Sequence, residues 1–192
     1  MAADPDSVMT LEEYRVFERS GDVRHEFVDG RVRLMSGGTR NHAILSVDIA
    51  AMLATHLGDG PCNLYNSDMR VRLNEWTQVY PDVSVSCDER DKGNNVDDEI
   101  AYPLLVVEVL SPGTERIDRG RKLRDYQACP SFQEYVLVGV EHQAVEVYRR
   151  GGDGWSDHRD ENGIEVHLAS IDARLSLAAM YRRTSVPVDP PS

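Results

Sequence analysis

Two acidic residues stand where the surrounding pattern asks for none. Leu104–Leu110 (LLVVEVL) is apolar at every position except Glu108, which reads as a strand covered on both faces. An ionised carboxylate in an apolar layer is costly unless something compensates it. Upstream, Val79–Ser86 (VYPDVSVS) alternates, with Pro81, Val83 and Val85 on one face and Tyr80, Asp82, Ser84 and Ser86 on the other. If the two strands are neighbours in matching register, Asp82 and Glu108 converge at one end of a sheet. Two carboxylates about 4 Å apart repel by roughly 4 kcal/mol at an effective dielectric of about 20. A hard divalent cation removes that penalty, and oxygen-rich sites suit Mg²⁺, Mn²⁺ or Ca²⁺. Such an ion activates water and offsets charge on a phosphate. A nearby lysine would orient the water or stabilise the developing charge.

Lys122 can fill that place. Lys92 and Lys122 are the only lysines in a chain that otherwise uses arginine, and Lys92 falls in the polar stretch Asp88–Glu99, expected as a mobile loop. Lys122 follows the Glu108 strand on a predicted helix, with Tyr126 on the same face at i+4. Arg119, Arg121 and Arg124 flank it, so this helix could approach a phosphate backbone. Plainer readings compete with these roles. Asp82 could cap a strand entry after Pro81, Glu108 could pair with Arg70 or Arg72, and Lys122 could pair with Asp118 on a solvated helix.

The elements that must hold these groups follow from spacing and punctuation. Thr10-Leu-Glu-Glu13 fits a capping box, opening a helix to about Ser20. Asp29-Gly30 joins two β-rich runs in a hairpin, with Glu26 just before the turn. Thr39 or Asn41 caps a helix to about Leu57, read as largely buried from its broad apolar stripe. CNLY and DMRVRL read as strands or a bent pair. A helix is expected from Thr114 or Glu115 to Ala128, weakened by Gly120. EYVLVGV and AVEVYRR form a strand pair, GWSDHRD and GIEVHLAS a second hairpin, and Leu175–Arg183 a terminal helix. Strand, helix and strand over 104–138 imply a parallel crossover in a mixed sheet with helices on its faces. The class is α/β with additional antiparallel hairpins. One domain over residues 9–184 is expected, with flexible tails at 1–8 and 185–192.

Composition narrows the partners. The formal net charge of −12 tells against loose, general nucleic-acid binding, though not against a local basic patch. The N-terminal residues lack the basic start and apolar stretch of a signal peptide, and no apolar run approaches a membrane span. Cys62, Cys87 and Cys129 are sparse, odd in number and without metal-type spacing, so they read as buried apolar residues in a reducing compartment. A cytoplasmic protein without membrane partners is the expectation.

At these residues the chain resembles a known group. Pro81-Asp82 followed by Glu108 is similar to the PD-(D/E)xK nuclease signature. Within it, PDVSV, VVEVLSPGT, DRGRKLRDY and EYVLV resemble the Uma-two family of restriction endonuclease-like proteins, in order, from MTLEEY to LSLAAMY. The resemblance implies a restriction endonuclease-like fold, with a mixed central β-sheet flanked by helices, and DNA cleavage dependent on Mg²⁺ or Mn²⁺. Asp82 and Glu108 would be metal ligands, with Glu26 in HEFVDG as an additional acid. Leu110 occupies the position where the wider superfamily carries its lysine, and the family pattern moves that role to Lys122 in DRGRK. His42 in TRNHAIL matches a recurrent family histidine, without an assigned role. Cutting both strands of a duplex would call for two sites, hence a homodimer. The alternative is a catalytically silent nucleic-acid-binding or interaction protein that keeps the fold, motivated by the acidic surface.

Overall fold

The computed structural model describes residues 8–35, 37–93, 99–160 and 164–188. Helix α1 (Leu11–Ser20) opens with the reciprocal Thr10–Glu13 capping box and packs on strand β1 (His25–Val28). There Tyr14 stacks on Phe27 at 4.9 Å, and its hydroxyl donates to the His25 carbonyl at 2.6 Å. Asp29 and Gly30 take the positive φ angles (57° and 73°) of the hairpin to β2 (Arg31–Leu34). Helix α2 (Arg40–Leu57) is capped by Thr39, whose side chain accepts from the His42 backbone N–H. Strands β3 (Asn63–Asn66), β4 (Arg70–Asn74), β5 (Thr77–Val79), β6 (Val83–Ser86), β7 (Glu99–Ile100) and β8 (Leu105–Val109) follow.

A helical rod then runs through α3 (Glu115–Ile117), a π-helical turn (Asp118–Lys122) and α4 (Leu123–Ala128). It leads into β9 (Glu134–Val138), β10 (Val145–Gly151), β11 (Gly154–Asp160), β12 (Glu165–Leu168), β13 (Ala173–Ser176) and α5 (Leu177–Tyr181).

The strands form two main sheets. One has the order β2-β1-β5-β4-β7, the other β11-β10-β9-β8-β6-β3, and β12-β13 make a separate pair. β8 and β9 are parallel neighbours joined by the rod, the crossover expected from the sequence. Alternation along β8 separates two cores. Leu105, Val107 and Val109 face the cluster built with Leu45, Ile49 and Leu53 of α2. Val106 and Leu110 join Tyr126, Tyr135 and the five-stranded sheet residues Val71 and Val79. Glu108, in phase with Val106 and Leu110, therefore belongs to the layer between the two sheets.

Several expectations are corrected. Val79–Ser86 is not one strand: β5 and β6 lie in different sheets, and the chain crosses between them at Tyr80-Pro81-Asp82. Proline cannot donate to a ladder, so pairing breaks there. Ser84 and Ser86 are also buried, because β6 is covered on both faces. CNLY and DMRVRL likewise separate, β3 to one sheet and β4 to the other. GWSDHRD pairs with β10, and GIEVHLAS with residues 173–176, which removes the start of the expected terminal helix. Val47 on α2 is 61% exposed, so the buried stripe is narrower than the sequence suggested.

The polar stretch after Cys87 is partly anchored. Asp91 is buried and accepts from the Ser86 hydroxyl and from the backbone N–H groups of Ala101 and Tyr102, while residues 94–98 lie outside the described set. Lys92 pairs there with Glu89 at 2.6 Å. Of the expected tails, 1–7 and 189–192 lie outside the described residues, and Val8 bridges to Arg31. Past Thr184 the chain stays engaged, with Val186 buried in the core.

Cys62 and Cys87 form a disulfide. Asn63 faces Ser86 in the β3–β6 register, which puts the residue before one strand opposite the residue after the other. A separation of 25 residues gave no view of that register. The disulfide removes the compartment argument that rested on cysteine number. Among the described residues, no helix is long and apolar enough to cross a membrane.

Candidate active site

Asp82 and Glu108 meet because of strand register. Val83 pairs with Val107 across β6 and β8, and one step further that antiparallel register sets Asp82 opposite Glu108. Cross-strand partners share a face. Asp82 Oδ2 accepts from the Val109 N–H at 2.8 Å, tying it to the residue after Glu108. Glu26 arrives from β1 in the other sheet, with the Tyr80 N–H 3.5 Å from its Oε1. The strand, the sheet crossing and the hairpin thus supply one acid each.

Lys122 lies among them. Its Nζ is 2.7 Å from Glu26 Oε1, 3.1 Å from Glu108 Oε1 and 3.0 Å from Asp118 Oδ1. Asp118 Oδ1 has no hydrogen-bond partner despite that proximity, so the third contact is one of charge at an unfavourable angle. Both ends of the i,i+4 pair are buried, Lys122 at 3% exposure and Asp118 at 1%. The pairing weighed from sequence therefore exists, but not on a solvated helix. The π turn ends at Lys122, a backbone form that recurs at functional sites. Arg121 holds this rod against the hairpin, bridging Asp29 of the turn and Asp125, which accepts in turn from Thr77 Oγ1.

Electrostatics favour a cation here. Burial first, then Asp118, Asp82 and Glu26, push the Glu108 carboxyl well above the ordinary glutamate range against the pull of Lys122. For Lys122, burial alone would lower the ammonium, but Glu108, Glu26 and Asp118 outweigh it and hold it well above the ordinary lysine range. The neighbouring Tyr126 and Tyr135 hydroxyls are pushed up by burial and then by these charges. His42 Nε2 lies 3.2 Å from Asp82 Oδ2. Its ring is disfavoured as a cation by burial, yet the Asp82 and Val109 hydrogen bonds raise it overall. A cavity of about 200 Å³ opens onto the group, lined by Glu26, His42, Asp82, Glu108 and Lys122, with Arg33 at its wall.

All four sequence-derived candidates, Glu26, Asp82, Glu108 and Lys122, face this cavity. From the sequence, Asp118 reads only as a surface partner of Lys122, and His42 as a family feature or a first-turn helix residue making local hydrogen bonds. The i,i+4 spacing to Lys122 was the available signal for Asp118, whereas nothing local linked His42 to Asp82. The alternative partner for Glu108 is excluded for Arg72, which pairs with Glu99 at 2.7 Å. Two of the arginines that flank Lys122 are already paired within the chain, Arg119 with Glu115 and Glu146, and Arg121 with Asp29 and Asp125.

The donor set suits a hard cation. Among the described residues no group of three His, Cys, Asp or Glu side chains converges as a ready metal cage. Mg²⁺ needs none, since it is held through one or two carboxylates, waters and substrate phosphate. Opposed Asp82 and Glu108, with Glu108 held above its normal range by burial and then by the neighbouring acids, fit that mode.

Two mixed sheets, a parallel crossover and acids gathered at a sheet end define a restriction endonuclease-like fold. The chain belongs to the Uma2 family, described as "Putative restriction endonuclease", whose model matches residues 11–179. It is 37% identical over 176 residues to the uncharacterized protein slr1290 of Synechocystis sp., covering 91% of this chain and 92% of that one. A second uncharacterized Synechocystis protein, sll1609, is 31% identical over 147 residues, 76% of this chain and 83% of the relative. In fold, the chain matches the crystal structure of a "putative nuclease belonging to DUF820" from Anabaena variabilis with a TM-score of 0.71. That match has 17% identity and covers 91% of this chain and 98% of the other.

Proposed function

We propose that this protein is a divalent-metal-dependent endonuclease that hydrolyses DNA phosphodiester bonds, with Asp82 and Glu108 as ligands of Mg²⁺ or Mn²⁺. The single observation that carries this reading is the charge imbalance. Four acids, Glu26, Asp82, Glu108 and Asp118, surround the one ammonium of Lys122 beside an open cavity. When bound, such an ion supplies an activated water and neutralises phosphate charge. The Val109 N–H holds Asp82 in place, and Asp82 and Glu108 together would hold the ion. Lys122, kept charged by Glu108, Glu26 and Asp118, would provide a fixed positive group for the phosphate as charge builds on it. Glu26, which also lines the cavity, would be the further acid available to the ion. Cutting both strands needs two such sites, which a homodimer supplies.

Purified protein with Mg²⁺ or Mn²⁺ is expected to nick plasmid DNA, and Glu108→Ala or Lys122→Ala to abolish nicking. Equal cutting by wild type and both variants would reject the assignment. Thermal melting supplies a second readout, because metal at 100 times its dissociation constant stabilises by about 2.7 kcal/mol.

One observation favours a second reading, a silent nucleic-acid-binding or interaction protein: Lys122 itself fills the space among three carboxylates. An unchanged melting temperature under saturating Mn²⁺, with DNA and RNA left intact, would select it.

A further inference from the structure

We infer that His42 is a positioning residue that, seated against Gly38, fixes which oxygen of Asp82 is presented to the metal. The inference rests on the proposed metal-ligand role of Asp82. Asp82 lies where the chain leaves one sheet for the other, one residue before β6, so the ladder that sets it opposite Glu108 ends beside it and its carboxylate oxygens are fixed by other contacts. Two groups fix them, the Val109 N–H as a hydrogen-bond donor and the His42 ring as a close polar contact. The Val109 N–H and His42 Nε2 both approach Oδ2, at 2.8 and 3.2 Å. With both on the same oxygen, the carboxylate cannot rotate without losing them, and Oδ1 is left for the cavity.

The seat of the imidazole is set by its place on the first turn of α2 and by the room left beside it. The His42 backbone N–H donates to the Thr39 hydroxyl at 3.2 Å, which fixes the first turn of α2. Behind the ring, a Cβ at position 38 would stand 2.6 Å from Nδ1 and 2.9 Å from Cγ. Only glycine at 38 leaves the ring its present seat. Carboxylate ligands are commonly fixed by such outer partners, and losing one costs about 10–100-fold in metal affinity or activity.

The test compares Mn²⁺ affinity, from free-ion electron paramagnetic resonance, with nicking rate and metal-free melting temperature. His42→Ala is expected to weaken Mn²⁺ binding by about 10–100-fold. His42→Gln, whose Nε2 can reach the same oxygen, is expected to restore most of it. Gly38→Ala, which keeps the imidazole but moves it, is expected to weaken binding as well. If wild type binds Mn²⁺ but nicks no DNA, the nuclease reading falls while the affinity series still decides the role of His42. Wild-type affinity in His42→Ala overturns the proposal. So does a loss in His42→Ala that His42→Gln fails to restore and that follows the fall in metal-free melting temperature, since that describes packing alone. A wild type that binds no Mn²⁺ overturns both.

Discussion

Two buried glutamates, Glu99 and Glu108, are almost equally hidden, at 5% and 6% exposure, and occupy opposite electrostatic situations. Glu99 in the five-stranded sheet is enclosed by donors: Arg15 reaches both carboxylate oxygens at 2.9 and 2.8 Å, Arg72 Nε one at 2.7 Å, and Gln78 Nε2 the other at 2.7 Å. Two guanidiniums serve one acid. At Glu108 one ammonium serves three carboxylates, with Asp82 adding a fourth charge. Burial of an acid is therefore no mark of a site by itself. The sign of the surplus charge around it separates a structural tie from a place that attracts a cation.

Removing the cation from each acid should break this comparison most sharply. Lys122→Met leaves buried carboxylates uncompensated and is expected to cost about 3–5 kcal/mol in urea unfolding at neutral pH, with nicking lost. Arg72→Met at the other acid leaves Arg15 and Gln78 in place. It is expected to cost about 1–3 kcal/mol, with nicking retained.

Neutralising the acids sharpens the contrast by sign. Glu99→Gln removes the anion from two guanidiniums and is expected to destabilise by about 2 kcal/mol. Glu108→Gln relieves surplus negative charge and is expected to stabilise the metal-free protein by about 1 kcal/mol while abolishing nicking. Stabilisation by Glu99→Gln, or destabilisation by Glu108→Gln in chelator, would refute the charge-balance account.

The smallest effect concerns pH. Glu108 titrates above its unfolded value, so its favourable share of stability is complete below about pH 4.5 and is lost as pH rises through the folded value. In chelator, wild type should therefore fall progressively behind Glu108→Gln in melting temperature as pH is raised. A constant gap between the two would contradict the raised titration.

Much of the arrangement was legible in the sequence, for local reasons. The Thr10 box, the Asp29-Gly30 hairpin, the Thr39 cap and the parallel crossover are written in turn and cap chemistry, and each appears in the structure. Glu108 stood out because it breaks an apolar run. What escaped was long-range. Which sheet receives β3, β4 or β6, and that Cys62 faces Cys87, depend on register between segments whose patterns look alike. Ser84 and Ser86 read as an outward polar face because alternation cannot reveal a second covering layer. His42 meets Asp82 across 40 residues with no shared periodicity. The π turn, which shapes the rod around Lys122, carries no hydrophobic signature beyond a glycine.

The crossing at Pro81-Asp82 has a mechanical consequence. One acid sits on the link between the sheets, another on the hairpin of the first and a third inside the second. Meanwhile Arg121 fastens the lysine-bearing rod to that hairpin through Asp29. Slippage between the two layers would pull these groups apart before it unravelled either one, so the site doubles as an alignment gauge for the whole molecule.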